Sequence, residues 1–191
     1  MKDITILMDM DDTLCDNFGQ RTRDLRKIFK NESEVIPDYR SSKCPLHVQK
    51  KLRKIMSQPG WWENLPRLED GFELYELAKK ENAEIEILTR APRTYPLAWT
   101  EKFLWCMKNV PDVDNINLTF KKKKYPGDIL IDDWPEYITS WLDYNQNRRA
   151  ILPLREWNKD YTHLRAVHYN GKNIEQVAEL IRDVKARNAH L

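Results

Sequence analysis

Short apolar runs alternate along this chain with longer stretches in which apolar residues recur at helical spacing. The clear runs are Ile4–Met8, Ile85–Leu88, Ile129–Ile131 and Ala150–Leu152, with weaker ones at Asn117–Phe120 and Ala166–His168. Runs this short, without regular polar alternation, suit parallel strands covered on both faces. Between them Gly71–Glu81, Leu97–Asn109, Pro135–Tyr144 and Ile174–Asn188 read as helices. The last carries Ile174, Val177, Ala178 and Ile181 along one side, with Asn173 placed as its N-cap. Strand–helix alternation of this kind predicts an α/β fold, a parallel sheet between helices.

One stretch breaks the alternation. Residues 16 to about 67 separate the first strand from the second, too long for one crossover helix. They hold two helical stripes, Phe18, Thr22, Leu25 and Phe29, then Leu46, Gln49, Leu52 and Met56. Pro37, Pro45, Pro59 and Gly60 punctuate them. The pattern predicts a small helical cap at 16–67, inserted into a core made of 1–15 and 68–191. A length of 191 residues allows one domain with such an insertion.

Composition narrows the chemistry. The formal net charge of +2 rests on one run, Lys121–Lys124, so no broad cationic surface for nucleic acid or membrane is expected. Apolar runs stay far below the roughly 20 residues of a membrane span. The acids of the first thirteen residues interrupt any signal-peptide pattern. Cys15, Cys44 and Cys106 are odd in number and widely spaced, which suits a reducing cytoplasm and buried thiols. The five glycines form no G-x-G-x-x-G or phosphate-cradling loop, the histidines no H-E-x-x-H, the serines no G-x-S-x-G. Carboxylates are left to carry any reaction.

Three predicted strands end in such residues. The first runs into Asp9-Met10-Asp11-Asp12-Thr13, the second into Thr89-Arg90, and Ile129–Ile131 into Asp132-Asp133. Ligands of open parallel sheets bind beyond the carboxyl ends of the strands, so the three clusters should meet at one edge. Asp9, Asp11, Asp132 and Asp133 crowded there would repel unless a cation sat among them. Few protein carboxylates with open positions suit Mg2+, which keeps waters and accepts a phosphate oxygen. Lys121–Lys124 could supply positive charge for that phosphate.

The ordered set Asp9-x-Asp11-x-Thr13, Thr89, a lysine and Asp132-Asp133 resembles the haloacid dehalogenase (HAD) superfamily. It spans essentially the chain to residue 140. The phrases Met8-Asp9-Met10-Asp11, Pro59-Gly60-Trp61-Trp62, Glu101-Lys102-Phe103-Leu104-Trp105 and Leu130-Ile131-Asp132-Asp133-Trp134-Pro135 are similar to those of the 5'(3')-deoxyribonucleotidases. The resemblance implies a HAD-type Rossmann-like core with a helical cap after strand 1. It implies a phosphomonoesterase of nucleoside monophosphates, with Asp9 as nucleophile forming an aspartyl-phosphate. Asp11 would protonate the leaving oxygen and then activate water. A carboxylate at Asp11 sets the pattern apart from the related dehalogenases and the P-type ATPases. Mg2+ would be held by Asp9, the Asp11 backbone carbonyl and Asp133, with Asp132 in support. Thr89 would bind the phosphate. Gapless counting back from Asp132 places Lys122 as its charge partner, with Lys121, Lys123 and Lys124 still open.

Substrate contacts are expected from Phe18, Trp61, Trp62 and Arg90, the aromatics stacking on the base. Trp99, Trp105, Trp134 and Trp141 are expected in the core. The chain departs from the deoxyribonucleotidases at Asp12-Thr13, at Arg90 and at Asn17-Phe18, and these departures bear on the substrate more than on the reaction. Two other readings stand beside the first: a HAD phosphatase of a sugar phosphate or polynucleotide end, and a non-catalytic phosphate-binding module. The expected partner is a small-molecule nucleotide, with no membrane and no stable nucleic-acid partner, and with a homodimer left open.

Overall fold

The structure, a computed structural model, describes residues 4–29 and 44–189. Pro37, one of the expected chain breaks, lies outside them. Contacts group the chain into two compact units, one of residues 1–15, 67–90 and 112–191, the other of 16–66 and 91–111.

The first unit is a six-stranded sheet built from β1 (Thr5–Met8), β2 (Glu84–Thr89), β3 (Asn115–Leu118), β4 (Ile129–Ile131), β5 (Arg149–Pro153) and β6 (Ala166–Tyr169). Every pairing is parallel and the strand order is β3-β2-β1-β4-β5-β6. The order reverses between β1 and β4, the point at which sheets of this class open a crevice for ligands. Ile6, Leu7, Met8, Ile129, Leu130 and Ile131 have no exposed surface, which is why β1 and β4 read as unbroken apolar runs. Leu7, Leu88, Leu130 and Leu152 pack with Ile138, Trp141 and Leu142 of α5 (Pro135–Tyr144). In this unit α3 (Glu69–Lys80) packs against β2, and α6 (Ile174–Asn188) against β6 and α3.

Two local expectations shift. The weak strand lies at 115–118 rather than 117–120, because this edge strand is half-exposed and carries little apolar signal. Asn173 stands at the N-cap of α6 but does not cap it; its Oδ1 accepts instead from the backbone N–H of Asn170, at 3.0 Å.

The second unit contains α1 (Asn17–Ile28), α2 (Leu46–Met56) and α4 (Pro96–Asn109). Asp16 caps α1 by accepting from the Gly19 N–H at 2.8 Å. The sequence reading puts residues 91–111 with the sheet, whereas their contacts group them here. The buried side chains of α4 give the reason. Glu101 accepts from the backbone N–H groups of Gly60 (2.6 Å) and Trp62 (3.0 Å), Lys102 lies over the Trp62 ring, and the Trp105 indole donates to the Leu65 carbonyl (2.8 Å). Gly60 takes φ +83°, a left-handed turn that favours glycine. No helix among the described residues is long and apolar enough to cross a membrane.

Candidate active site

Register brings the acids together. Met8 pairs with Ile87 on one side and Ile131 on the other, so Asp9 and Asp132 leave neighbouring strands at the same level. The Asp9 N–H donates to the Ile131 carbonyl at 2.9 Å, carrying the pairing one step beyond β1. Asp9, Asp132 and Asp133 are all buried, with carboxylate oxygens within 4.8 Å of one another.

Of the lysine run, Lys122 alone is buried, on a single 3-10 turn at Lys122–Lys124. Its Nζ lies 2.8 Å from Asp9 Oδ1 and 2.7 Å from Asp132 Oδ2. Burial by itself would lower the Lys122 pKa, but the charges of Asp132 and Asp9, with hydrogen bonds to both, hold it above the ordinary lysine value. Burial pushes the Asp132 carboxyl up, against the pull of Lys122. The Tyr137 ring lies 4.9 Å from the same ammonium.

The loop after β1 is folded tightly. Both Leu14 and Cys15 donate to the Met10 carbonyl, at 2.9 Å each. Asp12 takes φ +58°, the left-handed region that an Asp tolerates better than most residues. Asp11 is half-buried, and its side chain is not among the grouped carboxylates; its Oδ1 is 3.9 Å from the Cys15 thiol. Gly71 of α3 closes against this loop so tightly that a Cβ there would sit 1.9 Å from the Thr13 carbonyl oxygen.

Thr89 ends β2 fully buried, and Arg90 follows it exposed. The Arg90 guanidinium donates to Tyr137 Oη at 2.8 Å and lies over the Phe120 ring. The remaining expected contacts belong to the second unit. Phe18 and Trp61 are half-buried there, and the Trp61 indole donates to Asp24 at 2.9 Å. Trp62 is 1% exposed, donates to the Met56 carbonyl and meets Trp61 edge-on, so it packs as core. Trp105 and Trp141 are buried as expected, but Trp99 and Trp134 are only half-buried. The Trp134 backbone N–H donates to Asp132 Oδ1, at 2.9 Å.

Sequence reasoning missed the residues after β5. The Trp157 indole donates to Asp133 Oδ2 at 2.8 Å, and the buried Asn158 amide donates to the Asp133 carbonyl at 2.9 Å. The available signal was positional: β5 also ends at the carboxyl edge, and its polar continuation Arg155-Glu156-Trp157-Asn158 went unread.

The donor set fits a hard divalent cation. Three buried carboxylates face one buried ammonium among the described residues, which leaves an excess of negative charge in a low-dielectric site.

The family described as "5' nucleotidase, deoxy (Pyrimidine), cytosolic type C protein" matches residues 2–188. Among curated proteins none matches this sequence. A haloacid dehalogenase-like hydrolase from Burkholderia xenovorans shares the fold at 12% identity and a TM-score of 0.57, over 96% of this chain and 99% of its own. One from Xanthomonas campestris does so at 8% identity and 0.55, over 98% of each chain. A Bacillus subtilis HAD-hydrolase described as bound to magnesium does so at 11% identity and 0.53, over 95% of this chain and 100% of its own. These distant likenesses speak for the fold alone, which is that of haloacid dehalogenase-like hydrolases, while the family match runs nearly end to end; the chain belongs to the 5' nucleotidase, deoxy (Pyrimidine), cytosolic type C family, and is a phosphoric monoester hydrolase.

Proposed function

We propose that this enzyme is a Mg2+-dependent phosphatase of nucleoside monophosphates, deoxyribonucleotides above all, acting through an aspartyl-phosphate on Asp9. The observation that carries the reading is the buried set Asp9, Asp132 and Asp133 with Lys122 between two of them, at the sheet's switch point. The family description supports a nucleotide substrate and a cytoplasmic setting. The magnesium-bound Bacillus subtilis relative supports the metal.

In this mechanism an Asp9 oxygen attacks phosphorus, and the bond from phosphorus to the sugar oxygen breaks. Asp11 gives its proton to that departing oxygen. The deprotonated Asp11 then takes a proton from water as the water attacks phosphorus. The bond to Asp9 breaks and inorganic phosphate leaves. Lys122 and the Thr89 hydroxyl would hold the phosphoryl oxygens as charge shifts onto them. A cation held by Asp9, Asp133 and the Asp11 carbonyl, with Asp132 in support, would supply charge neutralisation and orientation. Phe18 and Trp61 are proposed to contact the base, and Arg90 the substrate's anionic part.

The test is a phosphate-release screen with Mg2+ over nucleoside 5'- and 3'-monophosphates, sugar phosphates and p-nitrophenyl phosphate. The expected result is highest kcat/KM on deoxynucleoside monophosphates. A preference for a sugar phosphate would overturn the substrate reading. No turnover of any ester would leave a phosphate-binding module instead.

A further inference from the structure

The segment Arg155–Asn158, between β5 and β6, touches both acid-bearing loops at once. Trp157 reaches the Asp133 carboxylate through its indole N–H. Asn158, 1% exposed, spends both amide protons within the edge: its Nδ2 donates to the carbonyls of Asp133 and Pro153, at 2.9 Å each. Its Oδ1 accepts from the Arg155 backbone N–H at 2.8 Å. Arg155 then crosses to the other loop. Its Nε donates to the Asp12 carbonyl at 2.9 Å, and its two terminal nitrogens grip Asp70 at 2.5 and 3.1 Å. The carbonyl that it holds belongs to the residue with left-handed backbone.

From this geometry we infer that Arg155, Trp157 and Asn158 form a brace that positions the cation site, with Trp157 fixing the orientation of the Asp133 carboxylate. The inference rests on the reading of Asp133 as a Mg2+ ligand. An indole N–H can only donate, so it cannot compete as a ligand and cannot reverse its role. Tying Oδ2 to a fixed indole holds the Asp133 carboxylate in one orientation, so it meets a cation without a rotational search. Outer partners that orient ligands in this way typically carry tenfold to hundredfold of metal affinity. Asn158 and Arg155 act one step further out, fixing the spacing of the Asp133 loop and the loop of Asp9 to Asp12.

The test compares wild type, Trp157→Phe, Trp157→Gln and Asp133→Asn by calorimetric titration with Mg2+, alongside p-nitrophenyl phosphate turnover against Mg2+ concentration. Trp157→Phe should raise the Mg2+ dissociation constant by about tenfold to a hundredfold, with a much smaller change in kcat at saturating metal. Trp157→Gln, which keeps an N–H donor of similar reach, should recover a large part of that loss. A purely structural Trp157 would lower the metal-free melting temperature and leave the dissociation constant in place. An unchanged dissociation constant in Trp157→Phe, with binding lost in Asp133→Asn, overturns the brace alone. Unchanged binding in Asp133→Asn overturns the metal reading and the brace with it. Should Trp157→Phe fail to fold, the Gln variant decides: affinity as poor as that of Asp133→Asn despite a native fold counts against a donor role.

Discussion

The ammonium of Lys122 bridges Asp9 and Asp132, 2.8 Å from one and 2.7 Å from the other, with all three side chains buried. Removing one partner of a buried charge group typically costs about 3–5 kcal/mol, because the remainder stays behind unneutralised. Lys122→Ala should therefore lower the melting temperature as well as kcat/KM. Alanine at the exposed Lys121, Lys123 or Lys124 should change both only mildly. Four similar mild effects would reject Lys122 as the phosphate-facing lysine.

Asp9→Asn should abolish turnover while preserving the fold. An amide is a poor nucleophile, and losing the covalent route should cost several orders of magnitude in kcat. Phosphate release at the wild-type rate, with native circular dichroism, would reject the aspartyl-phosphate.

Chelation should stop the enzyme and Mg2+ should restore it. Asp133→Asn should weaken metal affinity more than Asp132→Asn, because Asp132 is already engaged by Lys122 and the Trp134 N–H. Calorimetry on both variants ranks them, and full activity in excess EDTA would dismiss the cation.

The two neighbouring tryptophans should separate. Trp62 is core, so Trp62→Ala should cost about 3–5 kcal/mol of stability and affect all substrates. Trp61→Ala, and Phe18→Ala likewise, should raise KM for nucleoside monophosphates and largely spare p-nitrophenyl phosphate. A base stacked on an aromatic is worth about 1–3 kcal/mol, roughly fivefold to a hundredfold in KM. Equal losses on both substrates would reject stacking by these side chains.

Gly71→Ala puts a methyl group into the Thr13 carbonyl, and backbone must move to admit it. The expected outcome is a clear fall in melting temperature together with loss of activity, since the displaced loop carries Asp11. An unchanged melting curve would mean that α3 does not brace this loop.

Much of this was legible from local pattern. β1, β4, α5 and α6 are marked by apolar spacing alone, because each buries the apolar residues that make the pattern. Clustering of Asp9 with Asp132 and Asp133 follows from strand ends plus parallel topology. What stayed hidden depends on chain reversal in three dimensions. Glu101 and Lys102 look like solvent-facing charges, and only the turn at Gly60 gives Glu101 the N–H groups that make burial affordable. Trp157 carries no local signal of its role, which depends on the loop after β5 bringing its indole to Asp133. The edge strand β3 lost its register because half-exposed positions tolerate polar residues such as Asn115 and Asn117.

The strand order has a consequence for synthesis. β1 waits for β4, with Ile6 paired to Ile129 across most of the intervening chain. Asp9 leaves the ribosome long before Lys122, Asp132 and Asp133, the groups that give it a defined environment. Parallel pairing over such separations closes slowly, since the loop entropy must be met before the contact forms. The nascent enzyme thus carries a solvated Asp9 until Lys122, Asp132 and Asp133 have also been made, and its chemistry switches on as a late event of folding.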